Sequence, residues 1–246
     1  MDRKNSTIVV IPTYNEVMHI ERLISHILYF KPNFDILIVD DNSPDGTGRV
    51  VDELSKRSER IKVLKRPKKT GLGRAYLEAF KYALSLNPPY EKIIQMDADF
   101  SHHPKYLSKL LDATQDRDIS IGSRYISGGR VLKWRLDRRI ISYIANLFVR
   151  FWLGLKVRDS TSGFRCFRRE ALSNIRFETI KSNGYLFQIE LLTHCLHQGY
   201  SFTEVPITFI ERKEGKTKLG FHEVWEAVWG LPLLKFSKRR IERFNL

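Results

Sequence analysis

Two aspartates, Asp97 and Asp99, with one residue between them, follow a short apolar run, Lys92–Met96. Strand side chains alternate between faces, so this spacing predicts that both carboxylates point the same way. Two carboxylates directed at one point repel each other unless a cation lies between them. Oxygen ligands suit Mg²⁺ or Mn²⁺, and Mg²⁺ is commonly shared with the phosphates of a substrate. Two solvated aspartates in a turn would give the same pattern, so the interpretation depends on the rest of the chain.

The elements that must position these residues alternate along the first half of the chain. The predicted strands are Thr7–Ile11, Asp35–Asp40, Ile61–Lys65 and Lys92–Asp97, and the predicted helices between them are His19–Tyr29, Gly48–Arg57 and Gly73–Ser85. Strands separated by helices predict right-handed crossovers, and hence an α/β fold with a mostly parallel sheet flanked by helices. In such sheets ligands bind at the carboxyl ends of the strands. Polar segments follow three of these strands and should therefore meet at one edge.

Each polar segment suggests a role in binding a nucleotide. Pro12 and Tyr14 offer a flat apolar wall for a nucleobase, with Glu16 as a polar contact. Asp40 and Asp41 carry acceptors for ribose hydroxyls or base N–H groups. The next segment, Ser43–Gly46, has turn chemistry, so Asp45 is equally suited to cap a helix or to contact a ligand.

Other nucleotide-binding patterns are missing. Lys68–Gly73 resembles a phosphate loop but lacks its spacing, so Gly71 and Gly73 are interpreted as close packing into the next helix. No dinucleotide fingerprint follows the first strand, which argues against a nicotinamide enzyme. The Gly- and Lys-rich loop of sugar-nucleotide activation is also missing there, which argues against nucleotidyl transfer.

Composition indicates a folded domain with a strong positive charge. The 246 residues, 42% of them hydrophobic, suffice for one large domain or a domain with an appendage. Two cysteines give no disulfide framework, so a reducing, cytosolic setting is expected, and no signal peptide precedes the first strand. Net charge is +14, and residues 124–169 hold twelve Lys or Arg against two acids. Such a charge attracts polyanions: nucleic acid, anionic lipid or phosphate-bearing substrates.

Two segments have the character of amphipathic helices. Ile140–Leu155 is apolar but is interrupted by Asn146 and Arg150, and it is shorter than the ~20 residues that a membrane span needs. It could lie in a membrane interface or face the protein core. The segment 221–246, with Trp225 and Trp229 before a basic cluster, leaves the same two alternatives open.

Taken together, the motifs closely resemble those of the dolichol-phosphate mannosyltransferase family, inverting glycosyltransferases of the GT-A type. The resemblance extends over most of the chain and rests on the segments 12–16, 40–47, 71–73, 96–104, 122–129, 160–165, 184–190 and 205–219. The ordered pair Asp41–Thr47 and Met96–His102 is its most specific part. The resemblance implies one GT-A domain over 1–246, with a nucleotide-sugar half at about 7–125, an acceptor half at 126–220 and an amphipathic basic tail at 221–246.

The same resemblance implies roles for individual residues. The nucleoside site would be lined by Pro12, Tyr14, Glu16, Val39, Asp41, Asp97 and Ala98. Asp99 would hold Mg²⁺ or Mn²⁺ against the diphosphate, and Ser101 stands where some members carry a second, glutamine ligand. Arg124, Arg212 and Lys218 would face phosphates of the donor or acceptor and, with Asp99, act in catalysis.

The implied reaction moves mannose from GDP-mannose to dolichyl or polyprenyl phosphate. An acceptor phosphate is already ionised and attacks without a general base, in keeping with a cationic site that has no evident catalytic histidine. We interpret His102 and His103 as a turn that opens a helix at Pro104. A lipid acceptor also predicts peripheral attachment at the cytoplasmic face of a membrane through Ile140–Leu155 and the Trp225/Trp229 segment, with no nucleic-acid partner.

Alternatives remain at this stage. A relative could move glucose from a UDP-sugar, or a sugar to a hydroxyl group. A hydroxyl acceptor would require a base, for which Asp159 and Glu190 are the candidates. A nucleic-acid or anionic-surface binding module would use the basic stretch between residues 124 and 169, although its aromatic residues have helical spacing rather than the pattern of base stacking.

Overall fold

The computed structural model describes residues 7–31 and 33–211 of the chain. Its strands are β1 (Thr7–Thr13), β2 (Asp35–Asp40), β3 (Ile61–Lys65), β4 (Lys92–Gln95), β5 (Ile119–Ser123), β6 (Arg130–Leu132), β7 (Arg165–Arg168), β8 (Phe202–Pro206) and β9 (Thr208–Ile210). The α-helices are α1 (Ile20–Phe30), α2 (Thr47–Arg57), α3 (Leu72–Ser85), α4 (Leu107–Ala113), α5 (Leu136–Leu153), α6 (Arg169–Ser173) and α7 (Gly184–His197). Short 3₁₀ turns occupy Pro104–Tyr106 and Phe177–Thr179.

A seven-stranded sheet with the order β3-β2-β1-β4-β7-β5-β8 forms the centre of the fold. Its strand pairs are parallel except where β7 lies antiparallel between β4 and β5. β6 and β9 form a separate parallel pair beside it. Since β8 pairs with β5, the two halves expected from the sequence share one sheet.

Both faces of the sheet are buried, because successive side chains of each strand enter opposite hydrophobic layers. Ile8 and Val10 of β1 pack in the layer that contains α3, whereas Val9 and Ile11 pack in the layer that contains α1. This two-sided burial explains why the strands read as unbroken apolar runs. It also leaves the loops at the strand ends as the places where polar side chains can gather.

The predicted mostly parallel α/β fold is confirmed, with small corrections to its elements. β4 ends at Gln95 rather than Asp97, so both aspartates lie in the loop that follows the strand. The predicted helix 140–155 begins earlier, at Leu136, and ends at Leu153, where Gly154 adopts a left-handed conformation with φ 67°. The antiparallel strand β7 was not predicted. Within the described residues, none of the helices is both long and apolar enough to span a bilayer.

Candidate active site

A cavity of about 450 Å³ opens at the carboxyl ends of the central strands and contains both aspartates. Among the residues that line it are Lys69, Asp97, Asp99, Ser101, His102, Arg124, Trp134, Arg138, Thr161, Gly163, Tyr185, Gln188 and Glu211. The sequence therefore predicted correctly that Asp97 and Asp99 face one space. Both lie in the loop that follows β4, and a left-handed Phe100 (φ 58°) turns the chain directly after Asp99.

Both carboxylates are positioned by specific hydrogen bonds. The Asp99 Oδ1 atom accepts the Ser101 backbone N–H at 3.0 Å. The Tyr76 hydroxyl donates to Asp97 Oδ1 and to the Met96 carbonyl, each at 3.1 Å. Burial, reinforced by the negative charge of Asp97, raises the pKa of Tyr76 well above its ordinary value. Tyr76 therefore stays protonated and acts as a fixed donor from the core, a role that the sequence did not reveal.

The oxygen atoms around Asp99 suit a divalent cation. The Ser101 hydroxyl is buried and has no hydrogen-bond partner, although it lines the same cavity as both carboxylates. A buried hydroxyl without a partner is costly unless something else satisfies it. No group of three or more His, Cys, Asp or Glu side chains that could hold a metal occurs among the described residues. A cation here would thus depend on few protein ligands and on oxygens from a substrate.

The two histidines of the loop have different roles. His103 follows the prediction, since its Nδ1 accepts the Lys105 backbone N–H at 3.1 Å and caps the 3₁₀ turn. His102 instead lines the cavity, stacked on Phe164 with 5.0 Å between ring centroids. Burial lowers the pKa of His102 to about 4, so its ring is neutral at physiological pH.

Arg124 lines the cavity, but its guanidinium group is already engaged. Nε and Nη2 donate to the two carboxylate oxygens of Asp159 at 2.8 and 2.7 Å, and Nη2 also donates to Thr161 Oγ1 at 2.8 Å. Burial opposes the charge on Arg124, but Asp159 more than offsets that effect and holds the arginine pKa above its ordinary value. The expected phosphate contact from Arg124 would thus come from an arginine fixed by an aspartate.

Both candidate general bases have other partners. Asp159 is fully buried and also accepts the Arg124 backbone N–H at 2.9 Å. Glu190 accepts the backbone N–H groups of Lys181 and Ser182 at 3.3 and 3.0 Å. These contacts give both carboxylates a structural role.

Arg165 links the loop before β7 to helix α7 by hydrogen bonds beneath the cavity. It is completely buried, and it donates to the Ser160 carbonyl at 2.6 Å and to the Gln188 carbonyl at 2.7 Å. Burial lowers its pKa to about 10, which still leaves it charged at neutral pH. The loop before β7 and helix α7 are thereby joined.

The loops after β1 and β2 are joined by hydrogen bonds. The backbone N–H groups of Asn15, Glu16 and Val17 donate to Ser43, Thr47 and Asp45 respectively, at 2.9 to 3.1 Å. Asp45 stands one residue before the N-cap Gly46 of α2, and its Oδ1 accepts the Thr47 backbone N–H at 2.9 Å, so of its two possible roles the structure shows the one at the start of the helix. These bonds hold the two loops together at the carboxyl ends of β1 and β2.

Two residues expected to bind a nucleoside already have protein partners. Asp40 accepts from Thr13 Oγ1 at 3.1 Å and Ser43 Oγ at 2.6 Å, which makes it part of the loop framework. Asp41 is buried and forms an ion pair with Arg66, which also binds Glu78. Arg66 is a partner that the sequence analysis missed, and no local pattern would have identified it.

The remaining nucleoside candidates lie at different depths. Val39 and Ala98 belong to the hydrophobic layers, so only their backbone is suited to contact a ligand. Pro12, Tyr14 and Glu16 are partly exposed beside the cavity and are not among its lining residues. Arg212, Lys218 and the Trp225/Trp229 segment lie outside the described residues.

Gly71 and Gly73, at the start of α3, are close-packed, as the sequence predicts. A Cβ atom at Gly71, where φ is +106°, would come within 2.7 Å of the Asn183 side chain. At Gly73 it would lie 2.7 Å from the Ser182 carbonyl and 3.0 Å from the Phe187 ring. The contact is therefore with the start of α7, which brings Asn183 and Tyr185 to the cavity.

Comparison with known proteins places this arrangement in context. A family model described as Glycosyl transferase family 2 matches residues 8–176. The chain is 43% identical over 232 residues to a polyprenol monophosphomannose synthase of Mycolicibacterium smegmatis, covering 92% of this chain and 87% of that protein. It is 39% identical over 229 residues to an undecaprenyl-phosphate mannosyltransferase of Micrococcus luteus, covering 91% and 93% respectively.

Solved structures share the fold at low sequence identity. A mannosyltransferase from Pyrobaculum calidifontis in complex with GDP-Man and Mn²⁺ superposes with a TM-score of 0.62 at 17% identity, covering 97% of this chain and 65% of that chain. Glucosyl-3-phosphoglycerate synthase from Mycobacterium tuberculosis, in complex with Mn²⁺ and UDP, gives a TM-score of 0.64 at 18% identity, covering 96% and 80%. These neighbours confirm the expected GT-A type of fold.

Proposed function

The chain belongs to glycosyltransferase family 2, and from that premise we propose that it transfers mannose from GDP-mannose to a polyprenyl phosphate. The products are GDP and polyprenyl-phosphate mannose, with inversion at the sugar. The names of the two curated relatives support the mannosyl group and the lipid phosphate. The complex of the P. calidifontis neighbour with GDP-Man and Mn²⁺ supports the donor and a metal-dependent reaction.

One observation carries the choice of a phosphate acceptor. A hydroxyl acceptor needs a base within hydrogen-bond reach, yet Asp159 is bound to Arg124 and Glu190 to the backbone of 181–182. Burial lowers the pKa of His102 to about 4, so its neutral ring is a weak base. An ionised phosphate attacks without losing a proton, so these engaged groups are no obstacle to the proposed reaction.

The proposed mechanism is a single displacement. An oxygen of the acceptor phosphate attacks the anomeric carbon from the face opposite the leaving group, and the bond from that carbon to the β-phosphate oxygen breaks. Negative charge then collects on the departing diphosphate and positive charge on the sugar ring. Fixed charges near the diphosphate stabilise this state more than the ground state. We assign Arg124 to this role, and the sequence adds Arg212 and Lys218.

We propose that Asp99, with Ser101 beside it, holds Mg²⁺ or Mn²⁺, while Asp97 faces the nucleotide. A bound divalent cation would supply charge stabilisation to the diphosphate as it leaves. Asp99 is held by the Ser101 backbone N–H, and Asp97 by Tyr76. These contacts preorganise both carboxylates before a substrate enters.

A donor and acceptor matrix tests the proposal. GDP-mannose and UDP-glucose are each incubated with a short polyprenyl phosphate and with the matching polyprenol, with Mn²⁺ present. We expect transfer only from GDP-mannose to the phosphate, with a product of inverted configuration. Transfer to the polyprenol would contradict the base-free mechanism, and tighter binding of UDP than of GDP in calorimetry would contradict the mannose donor.

We also propose that α5 lies on the cytoplasmic face of a membrane, beside the acceptor half of a single domain. Eight large hydrophobic side chains of this helix are exposed: Leu136, Ile140, Ile141, Tyr143, Ile144, Leu147, Phe148 and Phe151. The opposite side buries Asn146 and Val149. Exposed arginines at 130, 135 and 139 flank the start of the helix and suit anionic headgroups. Equal recovery of the protein in the supernatant with and without anionic vesicles would contradict this attachment.

A further inference from the structure

Lys69 lies on the loop after β3, which resembles a phosphate loop only superficially in sequence. Its side chain lines the cavity that contains Asp97 and Asp99. Its ammonium nitrogen lies over the Tyr14 ring, 3.9 Å from the ring centre. Lys69 therefore contacts the ring expected to stack on a nucleobase and lines the same cavity as the carboxylates expected to hold the metal.

The loop that carries Lys69 is fastened at both ends. Before it, the buried Arg66 binds Asp41 and Glu78, and it also donates to the Thr70 hydroxyl. After it, Gly71 packs directly against the Asn183 side chain. The fold thus fixes the backbone on which Lys69 stands, while its long exposed side chain keeps the freedom to change partners.

Lys69 differs from the two arginines that line the cavity in its partners. Arg124 is paired with Asp159, and Arg138 is paired with Glu211. Among the described residues that line the cavity, Lys69 is the cation without a carboxylate partner. A cation–π contact at an exposed ring is weak, so a stronger anion can draw the ammonium group away from Tyr14. A diphosphate is such an anion, because it gains negative charge as its bond to the sugar breaks and then carries more than one divalent cation neutralises.

We propose that Lys69 is a donor-binding residue whose ammonium group contacts the diphosphate of the nucleotide sugar. This inference rests on the proposed function and names a contact within its donor site. When a base stacks on Tyr14, it takes the ring face that Lys69 covers, and the side chain moves toward the diphosphate. The same ammonium group then neutralises part of the charge that develops on the leaving GDP.

Calorimetry on the full chain with Mn²⁺ tests this contact, using GDP and guanosine as probes. We expect Lys69→Met to weaken GDP binding about tenfold, as loss of a charge-assisted hydrogen bond implies, and to change guanosine binding less than about twofold. Lys68→Met is the matched control, because Lys68 is exposed on the same loop but does not line the cavity. It removes the same charge and should change GDP binding less than about twofold. Lys69→Arg should restore most of the affinity.

Equal GDP affinities for Lys69→Met and Lys68→Met would overturn the proposal, and so would an equal loss for guanosine and GDP. Failure of the proposed function looks different. If the unmodified chain prefers UDP, the mannose donor is wrong, and the same variants are then compared with UDP and uridine. If it binds neither nucleotide, both proposals fall. A thermal melt of each variant confirms that the compared proteins are folded.

Discussion

The two acidic residues of the D-x-D motif differ in their surroundings, which gives each a separate test. Asp97 receives a hydrogen bond from the core through Tyr76, whereas Asp99 is held by the turn that follows it and adjoins the unpartnered Ser101 hydroxyl. Asp99 is thus the better placed to hold a cation, and Asp97 is fixed more firmly by the protein itself.

We predict that Asp99→Ala lowers kcat/KM for transfer by about a hundredfold or more, because the divalent cation that stabilises the departing diphosphate is no longer held. Mn²⁺ should no longer strengthen GDP binding in calorimetry. The melting temperature should change little, since Asp99 lies in a loop at the sheet edge. Asp116→Ala, at an exposed aspartate, serves as the control. Activity near that of the unmodified chain would refute the metal assignment.

Tyr76→Phe tests whether the core positions Asp97. Removing the hydroxyl should weaken GDP binding and transfer by about tenfold, the size of a hydrogen bond to a charged group. Tyr90→Phe is a close control, because Tyr90 is also buried and donates to a carboxylate, Asp35 at the start of β2, away from the cavity. Both variants should lose similar stability in urea titrations, but only Tyr76→Phe should lose activity. Parallel losses in the two would mean that Tyr76 has only a structural role.

At the same scale, the sequence identified the cavity residues better than their partners. Asp97, Asp99, Ser101 and Arg124 line the cavity, whereas Pro12, Tyr14 and Glu16 do not, and the roles of all of them stay predictions. Asp159 and Arg66 bind Arg124 and Asp41 across 35 and 25 positions of sequence. No local pattern encodes such pairs, because they depend on how the sheet brings distant loops together.

Among the elements, helices and parallel strands were predictable because their burial follows a regular period. α1 and α2 begin and end within one residue of the predicted bounds, and β2 and β3 match them. β7 was missed because its four residues have arginine at both ends and only two apolar positions between them. Its antiparallel place depends on pairing with Gln95 and Ile121, which are distant in sequence.

Helix α2 offers a stability prediction through its cap. Burial alone would raise the pKa of Asp45, but hydrogen bonds from Thr47 and Val17 outweigh it and hold the pKa below its ordinary value of 3.8. A carboxylate whose pKa is lower in the folded state stabilises the fold at pH values above its ordinary pKa. This contribution is lost as the pH falls through the folded-state pKa. Asp45→Ala should therefore cost about 1 kcal/mol at pH 7. In urea titrations this difference should shrink at acidic pH, and a constant difference would contradict the cap's ionic character.

On the scale of the whole molecule, charge and apolar surface both favour an anionic membrane. The net charge of +14 attracts any polyanion, over a screening length that depends on the salt concentration. The exposed apolar side of α5 is instead stabilised only by burial in an apolar environment such as a lipid interface. A nucleic-acid binding module would use the first property but has no use for the second. The two contributions can be separated because salt screens only the charge.

We predict that the unmodified chain stays partly bound to anionic vesicles at about 1 M salt, where the screening length is about 3 Å. Combining Ile144→Glu with Leu147→Glu should abolish that residual binding yet leave a salt-sensitive fraction at low salt. Met18→Glu with Tyr29→Glu adds the same charge at side chains that are 75% and 81% exposed on another helix and its preceding loop, and should behave like the unmodified chain. Co-sedimentation measures all three proteins.

The α5 variant should still transfer mannose to a short acceptor, because its substitutions lie outside the cavity lining. Complete release of the unmodified chain by salt, together with salt-sensitive binding to random DNA, would favour the nucleic-acid alternative over α5 as a membrane contact.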